Sequence, residues 1–220
     1  MATPAELLRT WLGQQLWLDI QLARIAQGDE RTLFLALGQA ARRVGRGPLA
    51  ADCVQAETAR TRWNPADWSC DQAARTLLVL ALPSADPVRW LATLDRCFHA
   101  ATVEELVALY QALPLLSHAS LLTGRAAEGV RSSMAPVFAA VALDNPFPAE
   151  QFGDDALNQM ALKCFFVGAD SARIIGLDRR WNLDLGRMLA HYARERRIAS
   201  RPLDPALPPL ARACGADCPD

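Results

Sequence analysis

Lysine is almost missing from this chain: of its 23 basic residues only Lys163 is a lysine, and the rest are arginine. The arginines are scattered, as a G- and C-rich coding sequence would leave them. Bidentate anion recognition is the alternative use of so much guanidinium. Net charge is also missing. A formal value of -1 supplies no global attraction to nucleic acid or to an anionic membrane. No apolar run approaches the roughly 20 residues that a membrane span needs. The start, Met1-Ala2-Thr3-Pro4-Ala5-Glu6, carries neither the basic segment nor the apolar segment of a secretion signal, so the expected compartment is the cytoplasm. Histidine is sparse as well. His99, His118 and His191 stand far apart, and the six cysteines, at 53, 70, 97, 164, 214 and 218, are irregularly spaced. Structural zinc needs four donors, so the lone C-x3-C of Cys214 and Cys218 implies no metal site. Disulfide frameworks belong to small secreted chains, and these thiols are expected to be reduced.

What is present is a core. With 51% hydrophobic residues in a length of 220, the chain can bury the interior of one globular domain. Helix starts recur along it. Thr3-Pro4-Ala5-Glu6 and Thr102-Val103-Glu104-Glu105 have the form of capping boxes, in which side chain and backbone satisfy each other's orphan groups. Asn64-Pro65 and Asp86-Pro87 read as cap-then-proline starts, and Asp29 opens a further helix after Gly28. Between the starts, apolar residues recur at three and four, as in Leu7, Trp11, Leu18, Leu22 and Ile25, or Trp90, Leu94 and Phe98. Thr76 to Leu82 is the one run that could be a strand. It continues a helical pattern from Asp71 and lacks β-branched enrichment, so it reads as a buried helix.

The fold class expected is therefore all-α, an irregular array or bundle of antiparallel helices. Starts near 3, 29, 64, 86 and 102 announce no fixed period, which leaves a HEAT-like solenoid open without requiring it. The sharpest breaks are Gly45-Arg46-Gly47-Pro48 and Asp144-Asn145-Pro146-Phe147-Pro148. A single domain over residues 1–201 is expected, followed by a proline-rich, loosely ordered tail over 202–220.

Catalytic motifs fail on inspection. Gly124 to Gly129 has the glycine spacing of a phosphate loop, but Val130 and Arg131 stand where lysine and a hydroxyl residue are required. Asp154-Asp155 opens a helix, where carboxylates favour the dipole. In the segment that follows, at about 100° per residue, Leu157, Met160, Ala161, Cys164 and Phe165 form one arc, which Leu162 and Phe166 extend almost all round. Such a helix is largely buried. Asn158 lies inside the apolar arc and needs partners, since an unpaired buried amide costs about 1–3 kcal/mol. Those partners are either another helix end or a ligand in a pocket beside Lys163. The last clear helix starts at Asn182 and gathers Arg194, Arg196 and Arg197 at its C-terminal end, where cations meet the negative pole. Nucleic acid is not supported there, because aromatic interleaving is absent.

Several blocks then arrive in one order: Ala108-Leu109-Tyr110-Gln111-Ala112-Leu113-Pro114, Gly124-Arg125-Ala126-Ala127-Glu128-Gly129-Val130-Arg131, Asn145-Pro146-Phe147-Pro148, Asn158-Gln159-Met160-Ala161-Leu162-Lys163, Gly176-Leu177-Asp178-Arg179-Arg180 and Tyr192-Ala193-Arg194-Glu195-Arg196. Together they resemble the EboA family, over residues of about 105 to 200. The resemblance implies a role in the bacterial ebo gene cluster of secondary metabolism, in moving a metabolite precursor out of the cytoplasm. It implies neither a reaction, nor catalytic residues, nor a cofactor. The expected partner is another ebo-cluster protein, with the membrane prenyltransferase-like component as a candidate. Two readings follow. In one the chain is a non-enzymatic adaptor. In the other it binds or transforms an anionic metabolite in a pocket near Arg125, Arg131, Asn158 and Lys163. The ligand or partner candidates are Arg125, Arg131, Asn145, Asn158, Lys163, Asp178 and Arg179. Treating the protein with a strong chelator is expected to leave its melting temperature unchanged in a thermal scan. A clear drop would show that Cys214 and Cys218 belong to a metal site.

Overall fold

Both capping boxes close. Thr3 Oγ1 accepts from the Glu6 amide, and the Glu6 carboxylate accepts from the Thr3 amide at 2.7 Å. Thr102 and Glu105 repeat the exchange, and Asp29 and Asp86 cap the helices that follow them. These ends belong to a computed structural model that describes residues 2–218. Helix makes up 69% of it, in 13 α-helices with no strand or sheet among the described residues. The all-α expectation holds.

The chain forms two compact units. The first, residues 1–145, holds α1 (Pro4–Leu12), α2 (Leu16–Ala26), α3 (Glu30–Val44), α4 (Cys53–Ala59), α5 (Cys70–Leu80), α6 (Pro87–Ala100), α7 (Val103–Ala112), α8 (Thr123–Arg131) and α9 (Ala135–Ala142). The second, residues 146–220, holds α10 (Phe147–Gln151), α11 (Asp154–Val167), α12 (Leu183–Ile198) and α13 (Leu207–Ala213). The boundary falls within the Asp144–Pro148 break, where two prolines follow an asparagine.

The centre of the first unit is α5, which packs against α1, α2, α3 and α7. Ala73, Ala74, Thr76, Leu77, Leu78 and Val79 are all buried on it, so the run that resembled a strand is a buried helix. Asp71 and Arg75 are buried too, at 5% and 2% exposure. They pair with each other one turn apart. Ser69 Oγ donates to Asp71 at 2.6 Å, and Arg75 Nε donates to the Leu37 carbonyl of α3 at 3.1 Å.

Three local expectations are corrected. Asn64-Pro65 does not start a helix: Asn64 Oδ1 accepts from the Ala66 amide at 3.1 Å in a short side-chain turn, and the helix waits for the capping box of Ser69 and Gln72. Phe166 does not extend the buried arc of α11. It is 61% exposed, with one ring contact, against Tyr192 at 4.4 Å between centroids. The segment from Pro202 is not loosely ordered as far as residue 218, residues 219 and 220 of the expected tail lying outside the described residues. It winds α13 with proline in the first turn, where a missing N–H breaks no helical bond. Leu207, Ala211, Cys214 and Cys218 are buried, α13 packs on α12, and Arg212 donates to the Cys218 carbonyl at 2.8 Å. Gly186 permits this approach, since a Cβ there would lie 2.9 Å from Ala216 Cβ and 3.0 Å from Cys214 Cβ.

Gly129 on α8 marks a close helix crossing in the first unit. A Cβ at this position would lie 2.7 Å from Tyr110 Cε1 and Cζ and from Val141 Cγ2, all on buried side chains. Alanine is worth about 1 kcal/mol over glycine in a helix interior, but overpacking costs about 1–3 kcal/mol. Gly129→Ala is therefore expected to lose about 1 kcal/mol net in urea unfolding. A gain would mean that the crossing has slack.

Candidate functional site

In the first unit, Arg125 projects from α8 with its side chain 14% exposed. One terminal nitrogen donates to Asp95 of α6 at 2.6 Å, and the other to Glu128 one turn on at 2.5 Å. The guanidinium lies over the Phe98 ring, 5.1 Å from its centroid. Cation, π-face and carboxylates thus fix it on three sides. Arg125 Nε is buried with no hydrogen-bond partner. Phe98 tilts against Tyr110 at 5.0 Å. Burial pushes the Tyr110 phenol up to about 12, partly opposed by the nearby Arg125 charge.

Asn145 is buried at 4% exposure, and its amide donates to the Tyr110 carbonyl at 3.0 Å and to the Ala140 carbonyl at 2.9 Å. These carbonyls lie in the last turns of α7 and α9, where helices run out of internal donors. Arg131 is exposed at the end of α8, beside the negative pole of that helix. The structure brings Arg125 and Arg131 onto one helix and places Asn145 at the ends of two others.

In the second unit the buried Asn158 finds its partner in Asn182. Each amide donates to the other's carbonyl oxygen, at 3.0 and 3.1 Å. Asn182 Oδ1 also accepts from the Leu185 amide at 2.8 Å and so caps α12. Its amide nitrogen donates to the Arg180 carbonyl at 3.1 Å. Arg180 in turn donates to the carbonyls of Ala149 and Phe152 at 2.8 and 3.1 Å, and to Asp154 at 2.5 Å. One segment, Arg180-Trp181-Asn182, thereby joins the end of α10, the start of α11 and the start of α12.

Lys163 is half-buried on α11, and Asp178 and Arg179 are exposed on a single 3-10 turn, Leu177–Arg179. Asn158 and Lys163 are five residues apart, about 140° around the helix, so they do not share a face. Arg180 escaped sequence reasoning, although it stands next to Arg179, and Asn182 was visible only as a cap. The available signal was Asp154: a carboxylate in a first turn can hold an arginine as readily as it serves the dipole. No groups of three or more potential metal ligands occur among the described residues. Burial pushes the thiols of Cys97 and Cys164 up to about 12, which makes them poor nucleophiles.

The class defined by this arrangement is an all-α protein whose buried polar side chains mostly hold helix ends in register. A family model described as metabolite traffic protein EboA matches residues 5–211, and the chain belongs to that family. The match covers the N-terminal half as well as the half that carries the motif blocks. No curated protein and no solved structure matches the chain. The family's name suggests a role in metabolite traffic.

Replacing Asn158 with leucine removes both bonds of the amide pair and leaves Asn182 only its bonds to Arg180 and Leu185. The loss expected in chemical denaturation is about 1–3 kcal/mol. Asn182→Ala should cost a similar amount, with the cap included. The double variant should lose less than the sum of the two, because both remove one interaction. Strict additivity would mean that the amide pair contributes nothing.

Proposed function

We propose that this chain is a non-enzymatic accessory of metabolite traffic that works by binding a partner protein. The observation that carries the reading is where the strongest polar groups are spent. Asn145 and Asn158 are committed to helix ends, and the terminal nitrogens of Arg125 to Asp95 and Glu128. Arg131 in the first unit, and Asp178 and Arg179 in the second, are exposed, and they are the charges that each unit offers to a partner. The partner is another protein of the ebo cluster, with the membrane prenyltransferase-like component as the candidate, met from the cytoplasmic side. No helix among the described residues is long and apolar enough to cross a membrane, so membrane contact would come through that partner. Because the family match runs across both compact units, residues 1–201 are read as one functional domain.

A specific observation favours a second reading. Arg125 Nε is buried and unsatisfied, which is costly unless something accepts from it. An anionic metabolite reached by Arg125 would supply that acceptor; Arg131, six residues on and about 120° round the helix, faces another way.

The two readings separate in a deletion strain. Arg131→Glu and Arg179→Glu change exposed positions and should alter stability by no more than about 0.5 kcal/mol. Under the adaptor reading both lose metabolite export and co-purification with the cross-linked membrane component. Lys163→Met tests the remaining candidate by the same export assay. Full complementation by all three folded variants would overturn a partner surface built on these residues. Loss of export with co-purification intact would favour the metabolite site.

A further inference from the structure

The first unit contains a pocket of about 200 Å³ that none of the candidate ligand or partner residues lines. Its walls are apolar: Leu82, Pro83 and Ala85 come from the connection between α5 and α6, and Trp90 from α6 itself. Gly28, just before α3, completes the rim, and a Cβ built there would meet nothing within 4 Å. A cavity of roughly 150 Å³ lined by apolar side chains is enough to take benzene. The volume here suits a single ring with a small substituent.

Charge decides what kind of ring. Glu30 at the mouth accepts from Arg89 at 3.1 Å and also pairs with Arg96, and these bonds hold its carboxyl below the usual carboxylate range, the Arg96 bond most of all. Asp86, also at the mouth, accepts from the amides of Val88 and Arg89 and caps α6. The hydroxyl of Thr93, which also lines the pocket, donates to the Arg89 carbonyl at 3.0 Å and accepts from Arg96 at 3.1 Å. Each charge at the mouth is answered by a neighbour or by a helix end, so neither an anion nor a cation gains by entering. An apolar body gains by leaving water.

The wall is held in place by a strained residue. His118 is a non-glycine residue in the left-handed region, at φ 52°. Its Nε2 lies 2.8 Å from the Ser84 carbonyl, and its ring meets Trp90 edge to face at 5.4 Å. Local strain of this kind persists only where surrounding structure enforces it, and it gathers at ligand clamps. Here it fixes both the loop wall and the aromatic wall.

We propose that this pocket binds a small uncharged aromatic or cyclic apolar molecule. The inference is independent of the adaptor reading, because the pocket shares no residue with the surface assigned to the partner.

Toluene titrated into the labelled full-length protein, followed by the indole N–H and methyl signals of Trp90 and Leu82, tests it. Saturable shifts confined to those residues and their loop are expected. Benzoate and benzylamine, which carry the same ring with a charge, should bind at least about tenfold more weakly, since a charge entering an apolar site is penalised. Ala85→Trp, at an exposed loop position, should fill the pocket and abolish the shifts. The proposal is overturned if toluene produces no saturable shift, if either charged analogue binds as well, or if toluene binding survives in Ala85→Trp. The wild-type measurements decide even where that variant does not fold, and export complementation by a folded Ala85→Trp protein reports separately on the adaptor.

Discussion

The first unit turns on an ion pair buried at its centre. Asp71 and Arg75 lie on the helix that touches four others, and neither reaches solvent appreciably. Two isolated charges in that position would each cost several kcal/mol. They are tolerated because every strong contact is supplied: Ser69 Oγ and Arg75 for the carboxylate, Asp71 and the Leu37 carbonyl for the guanidinium. The consequence is geometric. Arg75 can reach Leu37 only at one rotation and height of α5 against α3, so the pair specifies register where alanine and leucine contacts alone would allow sliding. A pair like this is weak as a source of stability, and losing one partner is far more damaging than losing both.

The second unit solves the same problem with an amide pair and one arginine. Asn158, Asn182 and Arg180 form a continuous set of hydrogen bonds from the end of α10 to the start of α12. Short helices leave many unpaired carbonyls and amides for each buried residue, and α10 has only five residues. A chain of short helices therefore spends its internal polar side chains on helix ends. That is why Asn145 and Asn158 are bonded to helix ends, and why exposed charges carry the interaction reading.

The family's name suggests a role in metabolite traffic, which brings a protein into contact with small molecules. The chain's inner thiols at Cys97 and Cys164 are held protonated by burial, and its charged residues outside the core face water singly or in exposed pairs worth little energy.

Much of this was legible in the sequence because it is local. The caps at Thr3, Asp29, Asp86, Thr102 and Asn182, the helical run through Thr76, and the buried arc of α11 all depend on residues within one or two turns. Asn64-Pro65 misled because an asparagine before proline serves a side-chain turn as well as it serves a helix start. The helix at Leu207 was hidden because its stability comes from Gly186 on another element, and the exposure of Phe166 because a wheel shows which residues are apolar but not how many walls surround them. Whether Asn158 would meet a ligand or another asparagine was likewise beyond the sequence, since Asn182 lies 24 positions away. The sequence by itself determined the helices, their ends and the need for polar partners, because capping and periodicity act over a few residues. Only tertiary structure decided which partners met and where a pocket remained, because those depend on distances between segments that no local pattern encodes.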